Sequence, residues 1–542
     1  MEKFFGFRIF LAWILSVPAT CFVTGFLGNY YATFLPVLMI ALVTQAIFGW
    51  FIHGLLGKAD HLYKASPRNF ALALLLFIVL LAFMARMFVM ALQFPVLLTP
   101  AAMLLEAEQV LPFVLGNILA FPCLPLLLKS NLTGTPLGQL IHRTSLGLLV
   151  AGFFFVVYFI LATIFNQPAF DVDDIFFDSD GLLWRTRLTT DDPRDYYWRS
   201  VHPFVLLLLR PLVGLVSFFL KGDRLAAAFV LTAFAGGSCV FLAWFFVKHT
   251  AGNSLYAVLI ASLLGASAAH LVFGSLIETY IFLAVVMMVF LVLLLKNAPF
   301  PVLVTAGLVS FGITLTNFVQ VMIAFFLVKR DFRQSLKYGA IVAALVVPLS
   351  LLNNFIYPNS QPYFFIPSTF SAEADNTFVP SIARGLAVLR VMFFHSIVAP
   401  DPLILEEEIP FLKVWIFKAD PMRLSEYQTW LGSGLAFFWL GLLLLGVFLF
   451  LKNLKIKDHR FAIAFILILF FNAALHLRYG KDLFLYSTNW TYALLLLLAH
   501  SWRQFAGQRW FQIMLMLFLA LLLLNNSRLI GTMLETSALH IK

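Results

Sequence analysis

Charge is scarce in this chain. Of its 542 residues only 11% are Asp, Glu, Lys or Arg, and cysteine occurs three times. Cys21, Cys123 and Cys239 all fall in apolar runs with no redox or metal-ligand spacing, so they read as small core residues. There is no P-loop, no GxGxxG after a strand, no HExxH and no CxxC. A primary pump or a cytosolic nucleotide-sugar enzyme therefore has no support. Repeats of solenoid length and low-complexity linkers are also missing. The first apolar run (9–27) leads straight into a second, so it reads as a span and not as a cleavable signal peptide.

What is present is apolar surface. Hydrophobic residues make up 62% of the chain, and the mean hydropathy is +0.95. Ordinary soluble domains are roughly 45–50% apolar. A spanning helix needs about 20 apolar residues, and in lipid the backbone must satisfy its own hydrogen bonds. The short alternating segments of a β-barrel are absent. The expected fold is an all-α polytopic bundle of about 13–15 spans, integral to a membrane, the bacterial inner membrane by preference.

Five apolar stretches (9–27, 32–55, 70–92, 107–128 and 145–166) precede an acidic loop, and ten more follow between 203 and 528. The net charge of +10 collects in short loops such as Lys58–Arg68, Lys129–Arg143, Lys329–Lys337 and Lys452–Arg460. That pattern places those loops in the cytoplasm and reads as topology and anionic-lipid contact, not as a nucleic-acid surface. Loops 167–203 and 357–429 then face outward. The charge bias favours a stretch 203–220 that lies at the interface and a stretch 299–328 that is two short spans. Pro203, Arg210 and Pro211 suit an interfacial segment. The long outer loop 357–429 reads as a lid, a substrate-positioning element or a structured surface loop.

The segment Asp171–Pro203 (DVDDIFFDSDGLLWRTRLTTDDPRDYYWRSVHP) concentrates eight carboxylates and four arginines between apolar runs. Asp178 and Asp180, two residues apart, can supply a general base or oxygen ligands for a divalent cation. Gly181 would permit a tight turn there. Asp171, Asp173 and Asp174 read as markers of the outer interface, and Trp184, Tyr196, Tyr197 and Trp198 as interfacial anchors. Arg199 offers a planar fork for phosphate or carboxylate. His202 can act as acid, base or ligand. Glu278, in GSLIETY, is expensive between apolar runs unless it faces water or a site, and it emerges on the side of Asp180. A third cluster, RYGKDLFLYSTNW (478–490), offers Arg478 and Lys481 for a phosphate, and Tyr486 and Asn489 for a polar headgroup.

A span, an acidic outer loop with an Asp pair, and an HP dipeptide opening the next apolar segment resemble the GT-C class of integral-membrane glycosyltransferases. The protein O-mannosyltransferase and aminoarabinose transferase groups belong to that class. The resemblance rests on FDSDG (177–181), SVHPFVLLLLRPL (200–212), Glu278 and DLFLYSTNW (482–490), and covers roughly 145–500. It implies a catalytic core at 145–500, preceded by spans in 1–144 to which it gives no role and followed by a terminal span and tail at 501–542. It further implies an inverting hexosyl or pentosyl transfer. The donor would be a polyprenyl-phosphate-linked sugar, and the acceptor a glycan, lipid or protein on the extracytoplasmic face. Asp180 or Asp178 would be the base or help hold a metal, and Glu278 would match the second acidic position. Arg199, Arg478 and Lys481 are candidates for the lipid phosphate by charge. The chain departs from the pattern where Phe204, not a second proline, follows Pro203. A secondary transporter or lipid-linked-sugar flippase is the alternative, although polar residues gathered at one rim favour the enzyme.

Overall fold

The computed structural model describes residues 2–93, 103–191, 199–407, 412–454 and 459–540. Nine helices among the described residues are long and apolar enough to cross a membrane, and six further apolar helices have 10–17 residues. The chain is an all-α, polytopic integral membrane protein. The expected 13–15 spans are approached only when shorter helices are counted with the nine.

Two compact units divide the chain, Met1–Leu149 and Val150–Lys542. The first holds α1 (Glu2–Gly28), α2 (Phe34–Ala65), α3 (Pro67–Leu92), α4 (Ala107–Lys129) and the start of α5 (Pro136–Phe165). A thin polar seam ties α1 to α2 and α4. Thr20 Oγ1 donates to Gln45 Oε1 (2.7 Å) and Trp13 Nε1 donates to Asn117 O (2.8 Å). Such pairs satisfy buried polar groups that lipid cannot.

The second unit continues with α6 (Gly181–Thr189), α7 (Val205–Phe218), α8 (Arg224–Ala251), α9 (Ser254–Ala266), α10 (Ala268–Phe273) and α11 (Thr279–Leu295). Then come α12 (Phe300–Ile313), α13 (Asn317–Lys329), α14 (Phe332–Ile356), α15 (Ile382–Arg390), α16 (Trp430–Asn453), α17 (Arg460–His476), α18 (Thr488–Ser501) and α19 (Arg509–His540). Side-chain caps start many of them. Asp223 accepts from Ala226 N, Asn253 from Tyr256 N and Asp331 from Gln334 N, each at 2.9 Å. Between α14 and α16 lie two antiparallel hairpins. One pairs β1 (Leu403–Glu406) with β2 (Leu412–Trp415), the other β3 (Phe417–Lys418) with β4 (Arg423–Leu424).

Contacts at helix ends fix the directions of the helices in this unit. Arg224, opening α8, pairs with Asp191 just after α6 (2.5 Å), so α7 begins and finishes at one end of the bundle. At the opposite end, Lys296 Nζ lies 3.3 Å from His249 Nδ1, and Lys329 Nζ lies 3.5 Å from Asn297 Oδ1. The stretch 299–328 is thus two antiparallel helices broken at Thr314–Thr316, each about 20 Å long and shorter than a ~30 Å hydrocarbon core. The loops after α5, α14 and α17 and the start of α11 all gather at the end where α7 lies.

Candidate functional site

The site grows from the last turn of α5. Asn166 Nδ2 donates to Ala162 O and Ser275 O (both 2.8 Å), and its Oδ1 accepts from Ile277 N (2.7 Å). One amide thereby locks the exit of α5 to the turn that presents Glu278. Asp173 Oδ1 then accepts Leu182 N (2.8 Å) and Leu183 N (3.2 Å), capping α6 from outside the helix. The tight turn falls at Phe176–Ser179 and not at Gly181, which is the first residue of α6. Ser179 N donates to Phe176 O (3.0 Å), and φ is +56° at Phe177 and +61° at Asp178. Positive φ at non-glycine residues stores roughly 1–3 kcal/mol each. Packing holds it there: the Phe177 ring lies 4.9 Å from Phe484, and main-chain bonds join Phe177 N to Val414 O (2.9 Å) and Val414 N to Ile175 O (2.8 Å).

Two distant parts of the chain, the acidic loop and the turn at Glu278, meet at the carboxylates. Arg199 Nη1 lies 2.6 Å from Asp180 Oδ2. Asp180 N donates to Glu278 Oε1 (3.2 Å), and Thr279 N donates to Glu278 Oε2. Asp180 is 7% and Glu278 2% exposed, so neither charge has much water to screen it. Burial, then the Asp180 charge, pushes the Glu278 carboxyl up to about 8. The same two causes raise Asp173 to about 6. Asp174 and Asp178 are raised as well, by burial and by neighbouring carboxylates, with Lys481 pulling both back down. Asp180 in turn raises Arg199.

The 476–487 loop packs beside these residues, Phe484 on Phe177 and Tyr486 on Tyr280. Arg384 organises it through four carbonyls: Nε donates to His476 O and Leu477 O (both 3.1 Å), and Nη2 to Tyr479 O (2.9 Å) and Gly480 O (2.8 Å). Asp482 accepts from Ile416 N, Phe417 N and Phe484 N, which pins the loop to the hairpins. Tyr479 Oη donates to Glu373 Oε2. Tyr486 packs on His476 (4.4 Å) and Tyr280 (5.2 Å). Gly480 has φ +102°, and a Cβ there would come within 2.5 Å of the Tyr486 ring. Gly480→Ala is therefore expected to destabilise the protein by about 1–3 kcal/mol. A lower thermal midpoint in detergent would register this; an unchanged midpoint would contradict the strain argument.

Searched against known proteins, the chain matches no family, no curated protein and no solved structure.

The residues singled out in the sequence divide into groups. Asp180, Glu278 and Arg199 are in direct contact. Asp178 is half-buried beside them, and its electrostatics couple it to Lys481 and Tyr486. His202 serves a different purpose: its Nδ1 bonds Ile313 O (2.7 Å), and its ring stands edge-on to buried Trp184 (5.0 Å). Burial pulls it down to about 3, so it is a neutral clamp. Arg478 is exposed and contributes its carbonyl to Phe378 N (2.7 Å). Asn489 is buried in α18, its Oδ1 without a hydrogen-bond partner among the described residues. Tyr196, Tyr197, Trp198 and the neighbouring Asp192, Arg194 and Asp195 lie outside the described residues.

The Asp178/Asp180 pair does not fit a metal site. The Asp180 carboxylate is taken by a guanidinium, and no group of three or more His, Cys, Asp or Glu among the described residues is arranged to hold an ion. Asp173 and Asp174, read as interface markers, belong instead to the cluster, Asp173 as a cap and Asp174 facing Lys413 at 3.9 Å. Sequence reasoning missed Asn166 and Glu373 altogether, and it noted Arg384 only as one of the charged residues of the outer loop, without its role in holding the 476–487 loop.

Proposed function

We propose that this protein is a GT-C-like membrane glycosyltransferase that moves a sugar from a polyprenyl-phosphate carrier to a hydroxyl acceptor. The observation that carries the reading is the meeting of Asp180 and Arg199, both from the acidic loop, with Glu278, 98 residues beyond Asp180, at an end of the bundle where apolar helices stop. In the reaction, Asp180 takes the proton of the acceptor hydroxyl, whose oxygen forms a bond to the anomeric carbon. The bond from that carbon to the phosphate oxygen breaks, and the carrier leaves as polyprenyl phosphate. Configuration at the sugar inverts. Arg199 orients the base, and Lys481 neutralises charge growing on the leaving phosphate. A protonated Glu278 keeps one negative charge away from an anionic donor. Tyr280, Tyr479 and Tyr486, packed edge to face, offer aromatic surface for a sugar ring.

The donor is activated by its phosphate, so the chemistry requires no nucleotide pocket. Purified protein incubated with a panel of labelled polyprenyl-phosphate sugars and a membrane extract supplying acceptor should consume at least one of them. Full recovery of every donor would contradict the assignment. Release of donor on the opposite side of a sealed vesicle, without cleavage, would point to the flippase.

A further inference from the structure

The N-terminal unit has a site of its own. A cavity of about 510 Å³ opens among α1, α2, α4 and α5 within residues 8–145, inside the ~300–1,000 Å³ range of small-molecule sites. Arg8, Lys58, His61 and His142 line it, and no Asp or Glu is among the lining residues. Trp50 and Ile141 belong to its apolar part. The nearest acid in sequence, Asp60, is engaged by Lys64 at 2.7 Å.

Basic side chains at helix ends ordinarily snorkel outward to water or headgroups. Here they turn inward. Arg8 Nε donates to His53 Nε2 (2.9 Å), and His53 is 7% exposed. Lys58 Nζ donates to Ser145 Oγ (2.8 Å) and to His142 O. These bonds fix the two cations at the cavity wall and leave the Nη groups of Arg8, a planar fork suited to phosphate, without a hydrogen-bond partner among the described residues. Two fixed cations and two imidazoles, with no acid among the described lining residues, select an anion. An apolar part of the same cavity, between apolar helices, selects one that carries a chain.

We propose that this cavity binds the phosphate of a membrane lipid, with Arg8 and Lys58 on the phosphate and Trp50 and Ile141 along the first carbons of the chain. The site is independent of the carboxylate cluster and does not rest on the glycosyltransferase reading. It gives the N-terminal unit a role that the family resemblance does not.

Native mass spectrometry of the full-length protein tests this, with phosphatidylglycerol, diacylglycerol and inorganic phosphate as probes. Two variants accompany the wild type. The double variant Arg8→Ala with Lys58→Ala removes the charges. Gly54→Leu leaves them and fills the space, since a Cβ at Gly54 meets only His142 Nδ1, at an ordinary 3.7 Å. Wild type should retain phosphatidylglycerol about tenfold better than diacylglycerol, and each variant should lose about tenfold, the equivalent of one decade in Kd. Thermal midpoints establish that the variants are folded, and Gly54→Leu keeps the test open where the double variant does not fold. Equal retention of the two lipids, or unchanged retention in a folded variant, overturns the proposal. Displacement of the lipid by millimolar inorganic phosphate assigns the cavity to a soluble anion and overturns the lipid source.

Discussion

Asp180→Asn is expected to abolish sugar transfer while the protein still expresses, inserts and keeps its thermal midpoint within a few degrees. Removing a positioned general base lowers rates by roughly 10²–10⁴-fold. The asparagine oxygen can still accept from Arg199, whose Nη1 lies 2.6 Å from Asp180 Oδ2, and the main-chain bond from residue 180 to Glu278 is untouched. Transfer measured by product formation should therefore fall far more than stability. Asp178→Asn, at a half-buried carboxylate without the Arg199 contact, should cost much less. Retained transfer by Asp180→Asn would remove the base assignment.

Glu278→Gln should flatten the dependence of stability on pH. The Glu278 carboxyl is raised from 4.5 to about 8 by burial and then by Asp180. A carboxyl whose folded pKa exceeds its unfolded one keeps its proton in the fold after the unfolded chain has released it. The folded protein therefore loses stability as pH rises from about 4.5 to about 8, and no further change comes from this group outside that window. The size is on the order of 5 kcal/mol. Glutamine cannot ionise, so this slope disappears. It also has one acceptor oxygen where Thr279 N and Asp180 N both donate, which shifts the whole curve down by about 1–3 kcal/mol. Thermal midpoints between pH 5 and 9 separate the two effects, because the offset is constant and the slope is not. Parallel curves for the two proteins would show that Glu278 stays ionised.

The helices were legible because lipid leaves the backbone only one economical solution. The acidic loop stood out because charge is so rare elsewhere. Even the break within 299–328 and the return of α7 followed from the distribution of Lys and Arg. The break between α9 and α10, where Ser267 Oγ accepts from His270 N (3.3 Å), lay hidden in an apolar stretch read as continuous. Partners far apart in the chain were also hidden. Asn166 reaches a turn 109–111 residues away, and Glu373 meets Tyr479 across 106; neither leaves a local pattern. The sharp turn was assigned to Gly181 because glycine is the usual occupant of positive φ. Packing instead forces Phe177 and Asp178 into it. His202 looked chemical from its residue type. Its environment explains the clamp: at the end of α12 the Ile313 carbonyl accepts from the Thr314 hydroxyl (2.7 Å), and His202 Nδ1 bonds the same oxygen (2.7 Å).

Photo-cross-linking tests the central claim most directly. A polyprenyl-phosphate sugar carrying a diazirine on the sugar would be bound to the full-length protein, irradiated, and the adduct mapped by peptide mass spectrometry. The account predicts labelling in the peptides around 173–182, 276–282 and 476–487, lost on competition with unlabelled donor. Competable labelling confined to other segments, or none above background, would contradict it.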